Sequence, residues 1–203
     1  MSFGLFDDPR KEAALVLVLT LITNSIKTWS YLPYFPVEFS QMGWGKPGNA
    51  GGYIIMATGM SIAASIMFKY HVDEGSYVGC IGAVFMALLG IINGNTTPTL
   101  QTSHGVVALT CFITYFVYIC QNGGFSKWLL LAGIAIILGH AVIFTQLDIR
   151  TLLKHGINKW PDVWTNAQKQ HPIWVLQIKA LCQWTMLISF FVSIFSIKYK
   201  VVT

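Results

Sequence analysis

The residues best able to do chemistry in this chain are a few polar side chains set in otherwise apolar stretches. His104 and His140 stand out, because two imidazoles from different helices at similar depth can ligate a haem iron or another metal. A b-type diheme arrangement needs a second such pair toward the opposite face. His71, His155 and His171 are all expected in loops, so that pair is missing. Hydrogen bonding is the expected role of His104 and His140, with no metal and no cofactor.

The wider polar set is Asn24, Lys27, Asn95, His104, His140, Gln177, Lys179 and Gln183. Polar groups inside a bilayer are costly, so each needs a partner or a purpose. Two uses compete. These side chains can line one cavity for a polar ligand or lipid headgroup. They can also sit near the interface, where they snorkel or pair with one another.

No catalytic constellation accompanies them. Glu38, Asp148 and Asp162 are isolated carboxylates, and Ser103 beside His104 is adjacency in sequence and does not make a triad. No phosphate-binding loop, dinucleotide fingerprint or HExxH is present. Nor is there the pair of broken helices or the membrane-centred acidic residue of many coupled transporters. Cys80, Cys111, Cys120 and Cys182 all fall in apolar stretches without metal-ligand spacing, and read as packing residues. The expectation is a protein that is not an enzyme.

The elements that must position these residues follow from composition. Hydrophobic residues make up 54% of the 203 and charged residues 10%. That is too few charges to coat a water-facing domain, for which about 25% is usual. The formal charge of +5 sits mostly at the ends of apolar runs, which suits headgroup contact rather than nucleic acid. Six runs approach the roughly 20 residues a spanning helix needs. They cover about 13–31, 50–68, 77–92, 103–120, 128–145 and 173–197. Pro33, Pro36, Pro47 and Gly48, then NGNTTPT, then QNGG separate successive runs with turn chemistry. Residues 1–203 therefore read as a single all-α domain, a polytopic bundle of about six transmembrane helices. Its first run reads as an uncleaved signal-anchor.

Lys and Arg in short loops set orientation. The link between the third and fourth runs has neither, which places it outside and both termini in the cytosol. In that orientation the wider polar set falls in the outer halves of the helices, and the inner halves are more uniformly apolar. Gly59 and Ala63, with Gly79, Gly82 and Gly90, are small residues that let helices approach closely. The longest loop, about 146–172, mixes apolar and basic residues with tryptophan. It reads as an interfacial amphipathic segment or as an extension of the fifth helix. Asn95-Thr96-Thr97 is a glycosylation sequon too close to the membrane to be used. Tyr199-Lys200-Val201-Val202 has the form of a tyrosine-based sorting signal.

The stretch GIINGNTTPTLQTSHGVVALTCFITYFVYICQ resembles the centre of the damage-regulated autophagy modulator family, the Frag-DRAM-Sfk group. Gly94, Asn95, His104, Gly105, Tyr118 and Gln121 occupy the places of the family's pattern. NAGGYIIMATGMSIAASIMFKYH looks like its second helix and LCQWTMLISFFVSIFSIKY like its last. The family carries Glu before the tryptophan of the last helix, where this chain has Gln183 before Trp184. It also has Asp-Gly and Pro-Pro in the first outer loop, which this chain lacks. The resemblance implies six helices with cytosolic termini. It also implies a non-enzymatic regulator or scaffold of an endolysosomal or plasma membrane, whose partners are membrane lipids, other membrane proteins or a cytosolic kinase scaffold. A structural subunit of a larger membrane complex is the first alternative. A haem or metal redox protein using His104 and His140 is the second.

Overall fold

The computed structural model describes residues 5–29, 50–92, 98–123, 127–144 and 173–197. Among them every regular element is an α-helix and none is a strand. The helices are α1 (Pro9–Trp29), α2 (Ala50–Glu74), α3 (Tyr77–Ile91), α4 (Pro98–Gly123), α5 (Lys127–Phe144) and α6 (Ile173–Ser196). Three segments, Gly51–Glu74, Ser103–Gly123 and Ile173–Ser196, are long and apolar enough to cross a membrane, which is compatible with an integral membrane protein. The loop 146–172, the sequon and the residues after Ile197 lie outside the described residues.

The helices match the apolar runs of the sequence and exceed some of them at polar ends. At the start of α1 Asp8 is the N-cap. Its Oδ1 accepts the Arg10 amide hydrogen at 3.0 Å, and Pro9 takes the first helical position, where no amide donor is needed. Glu12 Oε1 accepts the Leu5 and Phe6 amides at 2.7 and 3.3 Å, so the entering chain is tied down as well. Likewise α2 runs past Phe68, where the apolar stretch stops, to Glu74. Lys69 and Asp73 form a 2.6 Å ion pair one turn apart on this extension.

Both faces of the helices are apolar, but they differ in size. The exposed face of α1 carries Leu15, Val18, Leu19, Ile22 and Ile26, while its buried face carries Ala13, Leu17, Thr20, Leu21 and Asn24. In α4 the outer face carries Val106, Leu109, Ile113 and Phe116, while the inner face holds larger rings, with Tyr115 and Tyr118 beside Val107 and Cys111. A helix that is apolar all round is the form expected for lipid. Successive helices pack as neighbours from α1 to α4, while α6 packs on α5 and touches α4.

The turn from α2 to α3 is minimal. Gly75 adopts φ +75°, the left-handed region that only glycine enters cheaply. The Gly75 amide donates to the Val72 carbonyl at 3.0 Å and the Ser76 amide to the His71 carbonyl at 2.8 Å, the paired bonds of a Schellman end. Ser76 then caps α3, its Oγ accepting the Gly79 amide at 3.1 Å. This reversal lays the His71 ring directly on Gly79, where a methyl group would overlap it. Gly79→Ala is therefore expected to cost about 1–3 kcal/mol, the usual range for overpacking. Gly105→Ala, with nothing within 4 Å of the added carbon, should be neutral or slightly stabilising. Thermal midpoints of the detergent-solubilised variants test this, and adding His71→Ala to Gly79→Ala should recover part of the loss.

Candidate functional site

The densest buried polar group lies at the end of the bundle where α1 begins, here the base. Arg10 is 3% exposed and sits one turn before the apolar part of α1. Its Nε donates to both Asp8 oxygens at 2.9 and 3.1 Å, and Nη2 to Asp8 Oδ2 at 2.8 Å. Its Nη1 donates to the carbonyls of Ile194 and Ile197 at 3.0 and 2.9 Å. Those carbonyls lie in and just after the last turn of α6, where helix-end oxygens carry partial negative charge, and that of Ile194 also accepts the Ile197 amide at 3.2 Å. Burial opposes the guanidinium charge most strongly of any single cause, but the Asp8 hydrogen bond together with the charge interactions of Asp8, Tyr70 and Tyr118 outweighs it and holds the pKa above its ordinary value.

From Arg10 the group continues across the base. The guanidinium lies 5.5 Å from the Tyr70 ring centre. The Tyr70 and Tyr118 hydroxyls are 3.4 Å apart, and Tyr118 donates to Glu74 Oε2 at 2.8 Å. The same carboxylate oxygen lies 3.5 Å from Nδ1 of the fully buried His71. Tyr118 meets the His71 ring edge-on at 4.5 Å between centroids. Residues of α1, α2, α4 and α6 are thus joined in one network. Its chemistry is that of a fixed ionic and hydrogen-bonded clasp with one imidazole and one carboxylate at its far side. Among the described residues no group of three or more His, Cys, Asp or Glu side chains is placed to hold a metal ion.

This base corrects one expectation. His71 is in the last full turn of α2, buried, and is not a loop residue. The base also buries Asp8, Arg10 and Glu12. The local signals were present in sequence. Asp8-Pro9 is a helix start, and His71 and Glu74 are three apart on one helix face. They were hidden because hydropathy ended the first two helices at their apolar limits.

The polar residues singled out in the sequence divide into several groups. Asn24 is fully buried on α1 and Lys179 is 7% exposed on α6. Because Arg10 meets Ile194 and Ile197, α1 and α6 run antiparallel. At about 1.5 Å per residue, Asn24 rises roughly 21 Å from Arg10, and Gln183 lies roughly 17–21 Å back from Ile194 and Ile197. These residues therefore share a level, one turn beyond the cluster in which Leu21 and Met56 pack with Trp184 and Leu187. Gln177 is half-buried on the same helix. His104 takes another role. Its Nδ1 lies 2.7 Å from the Ile92 carbonyl, so it closes the end of α3. Asn95 lies outside the described residues, as do the side chains of Lys27 and His140.

Comparisons with protein-family models, with curated proteins and with solved structures find no match. The base clasp therefore has to be tested on its own terms. Arg10→Met leaves Asp8 buried without its cation and takes a donor from each of two helix-end carbonyls. Breaking a buried pair in this way costs about 3–5 kcal/mol. Arg10→Lys is expected to recover little, since an ammonium cannot reproduce the fork that grips Asp8 and both carbonyls. Asp8→Asn combined with Arg10→Met should be milder than Arg10→Met alone. Thermal midpoints of the purified variants measure all three, and an Arg10→Met protein as stable as the parent would sink the clasp.

Proposed function

We propose that this chain is a six-span integral membrane protein with both termini in the cytosol. It works without catalysis, as a regulator or scaffold of an endolysosomal or plasma membrane that binds lipids and partner proteins. The observation that carries the reading is the reach of Arg10 to Ile194 and Ile197. It gathers the start of α1 and the end of α6 at one end of the bundle. The α2–α3 turn joins them through Tyr70 and His71, and the end of α4 joins them through Gly123, whose added carbon would lie 3.2 Å from Ile197. An even number of crossings places both ends of the chain on one side. The result is a composite base made of several short segments, the kind of surface a cytosolic partner meets. The lack of Lys and Arg in the opposite link supports placing this base in the cytosol. The resemblance to the damage-regulated autophagy modulators supports the regulatory role by analogy.

Two measurements test this. Epitopes placed at both termini should be stained when only the plasma membrane is permeabilised, and staining of one terminus alone would overturn the even-span arrangement. Mild-detergent purification from native membranes should give a small lipid-bearing particle with substoichiometric kinase-scaffold or lysosomal partners. A large stoichiometric assembly would instead make the chain a structural subunit, and a Soret band in that preparation would favour a haem protein.

A further inference from the structure

The helices fall into two bodies by the way they pack. In lipid, apolar side chains gain little from meeting one another, because the surrounding tails are equally apolar. Close backbone approach and hydrogen bonding hold membrane helices together instead. From α1 to α4 every junction has that approach. A methyl group on Gly59 of α2 would overlap Thr20 of α1. One on Gly90 of α3 would press on Met60 and the Ala57 backbone of α2, and one on Gly82 would lie 3.1 Å from the Tyr115 ring of α4. The second body is α5 with α6. They pack extensively on each other, and small residues, Ala132 and Ala135 on α5 and Ala180 on α6, are buried there.

The junction between the bodies is built differently. Helix α6 meets α4 far more sparsely than it meets α5, and α1 more sparsely still. Large side chains span the gap. The Phe112 and Phe190 ring centroids lie 5.5 Å apart, and Trp184 and Leu187 pack with Leu21 and Met56. A cavity of about 90 Å³ is left in this junction, with Leu17, Met60 and Met86 on one side and Leu187 and Phe191 of α6 on the other. Atoms on both sides lack packing partners across it. Only at the base is the junction close and polar. There Arg10 Nη1 donates to the carbonyls of Ile194 and Ile197 at 3.0 and 2.9 Å, and a carbon added to Gly123 would lie 3.2 Å from Ile197. These bonds reach the backbone of α6 at one end, so they hold that end and leave the tilt of the helix to the loose contacts above.

From this contrast we infer that α5 and α6 form a movable leaf. It swings as one body about the Arg10 clasp and parts α6 from α1 toward the far end, opening the interior to the bilayer. The inference rests on the proposed membrane setting. A rotation of about 15°, the scale of known rigid-body switches, moves Leu181, roughly 20 Å above Ile194, by about 5 Å.

The test is double electron–electron resonance on the full chain in lipid nanodiscs, with genetically encoded spin labels that leave the native cysteines in place. Exposed Ile54 and Leu181 report the far end across the junction, and exposed Tyr77 and Ser196 report the base. Ile54 with Val106 reports the first body, and Ile137 with Leu181 the second. The far-end pair is expected to show a second population displaced by that distance, while the other three pairs stay narrow. In Arg10→Met the base pair should broaden as well. A far-end pair as narrow as the pairs within each body would overturn the leaf and leave the membrane reading standing. A base pair as broad as the far-end pair in the parent, or one unchanged in a folded Arg10→Met protein, would overturn the pivot. A chain that does not enter the discs would sink the membrane reading together with this inference.

Discussion

A buried arginine in an apolar bundle tolerates few surroundings, and the rest of this architecture follows from satisfying one. Arg10 has no acceptor of its own and cannot discharge itself by losing its proton. Its donors must all be met inside the protein. Asp8 supplies a carboxylate already fixed by capping α1, and α6 supplies carbonyls at its C-terminal end that have room for a further donor. Three local problems, a helix start, a helix end and a buried charge, are solved by the same few bonds. The solution dictates that α1 and α6 meet, that they run antiparallel, and that both ends of the described chain lie together.

The clasp also explains the uneven distribution of polarity. Around Arg10 the side chains are paired into a continuous network through Tyr70, Tyr118, Glu74 and His71. Immediately above, the wall turns apolar and loosely filled, and Tyr115 is left without a protein partner. The far end regains buried polar residues at Asn24 and Lys179. Tight bonding at the base can hold the helices together even where side-chain packing is incomplete. This lets a cavity persist in an interior that would otherwise close.

The fold was more legible in the sequence than the site. Six apolar runs with proline and glycine breaks translate into the six helices of the described residues, because helix length and hydropathy are local properties. Gly79 was readable as a close-approach residue, although its neighbour His71 was not. The ends of α1 and α2 escaped because capping and ion pairing extend a helix through residues that hydropathy scores as loop. Asp8, Arg10, His71 and Glu74 all belong to those polar extensions. The sequence marks His104 for hydrogen bonding without distinguishing the carbonyl that ends α3 from any other acceptor. That distinction depends on which carbonyl lies opposite, and no spacing rule reports it. The meeting of Arg10 with Ile194 and Ile197 is further still from local pattern, since nearly the whole chain intervenes.

The same separation has a consequence for biogenesis. The helix that carries the buried charge leaves the ribosome more than 180 residues ahead of the carbonyls that accept from it. Until α6 has been synthesised and inserted, Arg10 lacks its two carbonyl acceptors, and the bundle stands open along the seam where α6 will enter. Closure therefore follows the synthesis of α6, and each nascent chain must wait, shielded by the insertion machinery or by lipid, for that helix. A chain truncated before Ile194 would stay in that unclosed state and present quality control with an exposed cationic seam.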